Sequence, residues 1–245
     1  MRSLRVTVFS LLLFLLLLNS GCMWIDNYFL PPAEDTAQEL YEAGTDAMNA
    51  KEYGDAQDYF NKIKDRFPFS PYALKAELAV GDAYYLDKKY SLARESYKEF
   101  EALHPSNENI PYVIFQIGNA NYNLFKSIDR RQENIKEGLE YFYRLRETYP
   151  DTKYAEAAQE LIVKSRRILA EHEVYMADFF WRTDQFGPAW HRYQYVVENF
   201  SDIPDLRDYA RRRAEYSYFE YQKTLSEDER MRIEGSWKLW LKKWL

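Results

Sequence analysis

The sequence has 245 residues, with 39 acidic and 33 basic side chains and a single cysteine. A formal charge of −6 argues against nucleic acid as a partner, and one cysteine excludes an internal disulfide framework. Only 8 glycines and 9 prolines punctuate the chain, against 22 tyrosines and 15 phenylalanines, and no stretch sustains a two-residue alternation, so the pattern is that of helices with an aromatic core.

The N-terminus up to Cys22 forms a device of its own. Arg2 and Arg5 precede an almost wholly apolar run, Val6 to Leu18, followed by Asn19-Ser20-Gly21-Cys22. Such a run is short for a bilayer span and fits a signal-peptide core ending in small residues. The layout resembles the bacterial lipobox, in which the cysteine receives a diacylglycerol and, as the new N-terminus, an acyl chain; Asn19 stands where leucine is usual. On that reading residues 1–21 are removed, Cys22 is the lipidation site, and no other cofactor is implied. Removal takes away Arg2 and Arg5 and no acid, so the formal charge moves from −6 to −8. Residues 22–35, with Pro31-Pro32, form the lipidated N-terminus and tether. Met23 follows the cysteine where an aspartate would retain a lipoprotein in the inner membrane, so the resemblance implies outer-membrane sorting. An uncleaved signal anchor is the other reading, and it would also tether the chain.

From Thr36 onward a grid recurs. Ala43-Gly44, Tyr53, Ala56, Phe60, Ile63 and Pro68 are followed 37 residues later by Val80-Gly81, Tyr90, Ala93, Tyr97, Phe100 and Pro105. Ile117-Gly118 opens a third copy, which reaches Gly138, Phe142, Leu145 and Pro150 after eight extra residues, Phe125 to Gln132. Met176-Ala177, Phe186, Ala189, Tyr193 and Val196 make a fourth, with Ser201 in place of proline. The small residue lets one helix approach the next, the following helix presents a small and then a large residue on one face, and the proline stops it. The grid resembles the tetratricopeptide repeat. The implied fold is all-α, an α-solenoid of about five helix–turn–helix units over 36–245, at about 36–70, 73–107, 110–152, 154–203 and 206–245. Tyr154 to Arg182 contains no Gly or Pro and reads as one long helix. Tyr209 to Thr224 reads as the first helix of the fifth unit, and Ser226 with Glu229 as a capping box that starts a last one.

Catalytic chemistry is sparse. There is no Gly-rich phosphate loop, no serine-nucleophile motif and no Cys/His ligand set; Glu171-His172-Glu173 opens like a zinc-peptidase helix but lacks the second histidine. Paired acids such as Asp82 and Asp87 fit a solvated helix face better than an acid–base pair. The protein reads as non-enzymatic.

Helical repeats of this kind offer a groove. Positions around the signature small residue that line the concave face of such repeats hold Tyr41, Leu78, Asp82, Tyr85, Phe115, Asn119 and Tyr122, and further along Asp178, Trp181 and Tyr218. An aromatic channel with a few amides and acids suits an extended, aromatic-ended peptide. The same rings also suit packing against a neighbouring helix.

A lipobox, a Pro-containing tether and five such repeats in the rest of the chain resemble the BamD family, lipoproteins of the outer-membrane β-barrel assembly machinery. The third-repeat insertion with Asp129-Arg130 looks like that family's loop. Tyr149-Pro150-Asp151-Thr152, Arg167-x-Leu169-Ala170-Glu171 and Phe179-Phe180 are similar to its long helix, and Arg192 precedes Phe200 by the spacing of its interface arginine. The resemblance implies a location on the periplasmic face of the outer membrane. It also implies binding of unfolded outer-membrane proteins in the N-terminal groove, and docking on the periplasmic domain of a BamA-like insertase alongside other assembly lipoproteins. Asp178, Trp181, Arg192, Tyr218 and the C-terminal Trp237, Trp240 and Trp244 are the candidate partner face. Trp237, Trp240, Leu241 and Trp244 share one helix face; they suit either the closing helix of the fifth repeat or a docking stripe. The alternative function is a repeat lipoprotein that scaffolds cell-envelope or peptidoglycan enzymes.

Overall fold

A computed structural model describes residues 35–234, with side chains through 225. Among these residues the regular elements are all α-helices: α1 Ala37–Ala50, α2 Tyr53–Arg66, α3 Ala73–Leu86, α4 Tyr90–Leu103, α5 Ile110–Asn123, α6 Glu133–Thr148, α7 Lys153–Arg182, α8 Phe186–Asn199 and α9 Pro204–Glu234. The described residues divide into two compact units between Ala76 and Glu77, with the boundary inside α3. The tetratricopeptide reading of the grid holds. Cys22, Trp237, Trp240 and Trp244 lie outside the described residues.

In the first unit, α1 opens on a capping box: Thr36 Oγ1 accepts from the Glu39 amide, and the Glu39 carboxylate accepts from the Thr36 amide at 2.8 Å. Its packing on α2 depends on Gly44, where a Cβ would lie 2.6 Å from the ring of Phe60. Lys51 then takes a left-handed conformation (φ 64°) and returns its amide to the carbonyls of Ala47 and Met48.

The second unit repeats this lock. A Cβ at Gly81 would meet Tyr97 at 2.6 Å, and one at Gly118 would meet Phe142 at 2.5 Å; in the fourth copy Ala177 and Tyr193 hold the same register, both fully buried. The left-handed cap also recurs seven residues after the small residue, at Lys88 and Asp184. None of these caps is glycine, so periodic patterning alone gives no sign of them.

Two cores form, and α7 joins them. One gathers α4, α5 and α6 around Tyr97, Ile117 and Phe142 and takes in Ala155, Ala158 and Ile162 of α7. The other gathers α8 and α9 around Tyr193 and Val196 and takes in Ala170, Val174 and Ala177. Thr152 caps α7 by accepting from the Ala155 amide, and the helix of 30 residues is about 45 Å long. Between the two stretches sits Ser165, 1 % exposed, its hydroxyl without a partner. The eight-residue insertion is pinned from within: Gln132, 4 % exposed, donates its amide to the carbonyls of Ser127, Ile128 and Arg130, and His172 Nδ1 donates to the Ile128 carbonyl.

One expectation fails. The helix that begins at Pro204 does not stop near Thr224; it runs on through Ser226 to Glu234 as 31 residues. The Ser226 capping box is therefore not a helix start. Nothing between Pro204 and Glu234 breaks a helix, and without Gly or Pro a Ser-x-x-Glu pattern is equally tolerated inside one.

Two stability outcomes follow from this packing. Gly81→Leu forces a side chain into the ring of Tyr97 and should lower stability by about 1–3 kcal/mol, whereas Gly54→Ala, with open space at its Cβ, should be neutral or stabilising by up to about 1 kcal/mol. Ser165→Ala removes an unsatisfied buried hydroxyl and should raise stability by about 1 kcal/mol. Urea unfolding midpoints of the three variants check both; a destabilised Ser165→Ala would show that the hydroxyl has a partner.

Candidate peptide groove and partner face

Asp82, one of the acids expected to line the groove, is committed internally. Tyr97 donates its hydroxyl to Asp82 Oδ1 at 2.7 Å and Tyr112 donates to the same oxygen. Gln116 Nε2 donates to Tyr112 at 3.0 Å. Asp82 thus ties α3 to α4 of its own repeat and to α5 of the next. Burial pushes its carboxyl above the usual aspartate range, against the opposing pull of the two hydroxyls. Burial likewise raises Tyr97 and Tyr112, with the nearby Asp82 charge adding to it.

The same clamp is built again in the fourth repeat. Tyr193 donates to Asp178, Tyr209 donates to the same oxygen at 2.9 Å, and Arg213 Nε donates to Tyr193 at 3.3 Å. The pairing follows from the core aromatic. Where that ring is tyrosine its buried hydroxyl needs an acceptor, and the residue after the small one is aspartate: Tyr97 with Asp82, Tyr193 with Asp178. Where it is phenylalanine, at Phe60 and Phe142, the residue after the small one is Thr45 or Asn119. This covariation between repeats is the signal that would have paired Tyr97 with Asp82 and Tyr193 with Asp178 from sequence.

The candidate rings divide between the two units. In the first, Tyr41 packs on Phe60 and Tyr72, with centroids 5.7 and 5.4 Å away. In the second, Leu78, Tyr85, Phe115 and Tyr122 are half-buried against the first core. Tyr85 meets Tyr90 edge-on and accepts from Asn123 Nδ2 at 3.0 Å. Phe115 sits between Phe142 and Tyr154. Asn119 reaches Gln116 at 3.4 Å. Gln116, Asn119 and Asn123 therefore form a half-exposed amide row along one face of α5, flanked by half-buried rings.

The candidate partner residues fall into two kinds. Asp178 and Trp181 brace the interior: Trp181 lies against Phe186 at 5.0 Å, with the Arg213 guanidinium 4.4 Å from its ring centroid. Arg192 and Tyr218 reach the surface. Arg192 pairs with Glu173 at 2.6 Å across α7 and α8 and borders an open hollow of about 430 Å³ with Phe180, Pro188, His191 and Tyr195. Tyr218 rests on Trp190 at 5.1 Å. Among the described residues no His/Cys/Asp/Glu group could hold a metal ion, and no helix is long and apolar enough to cross a membrane.

The family model for YfiO, described as an outer membrane lipoprotein, matches residues 33–232. The chain belongs to this family. Relatives with the name outer membrane protein assembly factor BamD include one from Vibrio cholerae, 27 % identical over 73 % of this chain and 76 % of its own length. One from Neisseria meningitidis is 25 % identical over 68 % of this chain and 66 % of that protein. One from Caulobacter vibrioides is 24 % identical over 67 % of this chain and 54 % of that protein. The family match runs across α1 to α8 and most of α9.

The clamp makes a testable statement about pH. Because Asp82 is raised in the folded state, folding binds its proton more tightly than the unfolded chain does. Its charged form costs stability at neutral pH, and that cost is relieved as pH falls through the raised value toward the ordinary carboxylate range, about 3.9. Asp82→Asn keeps an acceptor for both tyrosines without the charge. Relative to this variant, the native chain should gain stability between pH 7 and pH 4; parallel stability–pH curves would show that Asp82 is not raised.

Proposed function

We propose that the chain is a non-catalytic, lipid-anchored component of the machinery that assembles β-barrel proteins in the outer membrane. The observation that carries this reading is the family match over positions 33–232, together with relatives named as outer membrane protein assembly factors.

The anchor is Cys22, bearing a diacylglycerol and an N-acyl chain; several chains hold a protein at a membrane stably where one alone binds marginally. The tether of residues 22–35 then places the repeats on the periplasmic side. Unfolded outer-membrane proteins are bound on the α3–α5 face. The amide row of Gln116, Asn119 and Asn123 supplies donors and acceptors for the backbone of an extended chain, and the flanking half-buried Tyr85, Phe115 and Tyr122 receive its aromatic side chains. Asp82 contributes by holding α3, α4 and α5 in register, not by touching the client. The surface near Arg192 and Tyr218 docks on the periplasmic domain of the insertase. An arginine already paired with Glu173 adds specificity there more than raw affinity, since a partner acid must compete for it.

Co-purification from the solubilised outer membrane tests the reading. Recovery of a β-barrel insertase supports it; recovery of peptidoglycan enzymes alone would replace it with a scaffold. Cys22→Ala should leave the helical melt unchanged and either release the protein from the membrane fraction or leave its precursor unprocessed; wild-type fractionation and migration would remove lipidation from the reading. Asn119→Ala should weaken binding of an aromatic-ended outer-membrane peptide several-fold without shifting the melting temperature.

A further inference from the structure

The turn between α2 and α3 holds one ring out of the fold. Phe67-Pro68-Phe69-Ser70-Pro71-Tyr72 joins the two helices, and Phe69 is 101 % exposed. A single exposed apolar side chain is ordinary, but this one is fixed in place. Pro68 and Pro71 restrict the backbone on either side. The Ser70 amide donates to the Phe67 carbonyl and the Ala73 amide to the Ser70 carbonyl, both at 3.0 Å, and the Ser70 hydroxyl accepts from the Tyr72 amide at 3.0 Å. The charge around the ring runs against that of the chain. Residues 62–75 carry Lys62, Lys64, Arg66 and Lys75 against Asp65 alone, in a protein of net charge −6. Three of these cations lie over rings: Lys62 is 5.2 Å from the Tyr59 centroid, Arg66 5.5 Å from Phe67 and Lys75 6.0 Å from Tyr72. Among the described residues none of the three pairs with a carboxylate. Of the acids early in α1, Glu39 is held in the capping box with Thr36, and Glu42 accepts from Gln38 Nε2 at 2.9 Å.

We propose that this turn is a membrane-contact site, at which Phe69 enters the interfacial region of an anionic lipid surface and Lys62, Arg66 and Lys75 face its phosphates. An apolar tip flanked by cations is the composition with which peripheral segments lie in the interface, the ring at the acyl boundary and the cations among the headgroups. Position favours the same surface. Gly44 of α1 faces Phe60 of α2, and Tyr41 touches both Phe60 and Tyr72, so the antiparallel pair brings the start of α1 beside the end of α2. The chain leading in from Cys22 joins α1 at this same end. A fluid surface yields to one projecting ring, whereas a stable protein interface needs about 1,200 Å² of matched surface in total. The contact adds a second hold on the membrane, made by the first repeat itself, to the one that a lipid provides through the tether.

The inference rests on the lipid-anchored reading, and the test separates the two. With Cys22 acylated, the Phe69→Cys and Gly54→Cys chains carry one free thiol each. Each thiol takes an apolar, environment-sensitive dye, and each chain is reconstituted on vesicles of phosphatidylethanolamine with phosphatidylglycerol, or of phosphatidylcholine alone. On the anionic vesicles only, the dye at position 69 should shift to the blue and lose acrylamide quenching several-fold. The dye at position 54, at the far end of the repeat, should stay as open as in detergent. Arg66→Glu combined with Lys75→Glu should restore quenching at position 69 with the melt unchanged. A dye at 69 that stays quenched on anionic vesicles with which the chain floats overturns the inference and leaves the anchor standing. Equal protection on both kinds of vesicle does the same. Quenching that is relieved only when a β-barrel insertase is added assigns the turn to a protein partner and also overturns the inference. A chain that does not float, or whose wild-type form takes the dye at Cys22, removes the anchor and the inference together.

Discussion

The packing of an aromatic ring directly on a glycine backbone is the contact on which the helical repeats depend. At Gly44, Gly81 and Gly118 there is no room for a Cβ beneath Phe60, Tyr97 and Phe142, so the helix pair in each repeat is set at the separation of a ring on a bare backbone. That separation brings the following helix within reach, and each core can then close on flanking residues such as Ile117, Leu145 and Val196. Dispersion and burial over such close surfaces stabilise the pair without any polar specificity. The fourth repeat keeps the register with Ala177 in place of glycine, both it and Tyr193 fully buried.

The tyrosine versions of this lock carry a second consequence. A buried hydroxyl without a partner is costly, so Tyr97 and Tyr193 each require an acceptor, and Asp82 and Asp178 meet that need while also accepting from the next repeat. The acids on the inner face are therefore inter-repeat ties, placed in the second and fourth repeats, and what they leave for a ligand is the polar surface beside them. On α5 that surface consists of amides, which can bind backbone without discriminating side chains. Rigid ties and an adaptable amide row thus lie side by side, joined through Gln116 and Tyr112.

Much of this was legible in the sequence. The 37-residue grid located the ring locks, because both halves of each lock are strong, periodic choices: a glycine where alanine is the better helix former, and an aromatic at fixed distance. The long helix was visible through the lack of breakers between Lys153 and Arg182. The roles of Asp82 and Asp178 were not, since a polar residue at a face position looks the same whether it points to solvent or into a hydroxyl; only comparing repeats with tyrosine against those with phenylalanine separates the cases. The Ser226 misreading has a related cause. A capping box is a local signal, and it marks a helix start only where the preceding helix has a reason to stop. Lys51 and Lys88 show the reverse: helices that stop at a left-handed lysine, a residue type with no intrinsic preference for that backbone, whereas Asp184 is of a type that tolerates it.

The two cores of the second unit are joined by α7, and this governs how binding at one end can be felt at the other. Ala155, Ala158 and Ile162 belong to the core beside the amide row, while Ala170, Val174 and Ala177 belong to the core beneath Arg192. A straight helix transmits rotation and translation but little local distortion. The side chains between these stretches include Arg166 and Arg167, which tie α7 to the α8–α9 turn and the start of α9: Arg166 to Asp202, and Arg167 to both oxygens of Asp205 at 3.0 Å. Arg166 holds the Asp202 carboxyl below its usual range, and Arg167 does the same for Asp205. Both acids are thus charged throughout the physiological range, and the tie does not loosen with modest changes in pH. A displacement of α7 from the α5 side would therefore carry α9 with it. Coupling of this kind needs no hinge, only a beam shared by two cores and fastened at its middle.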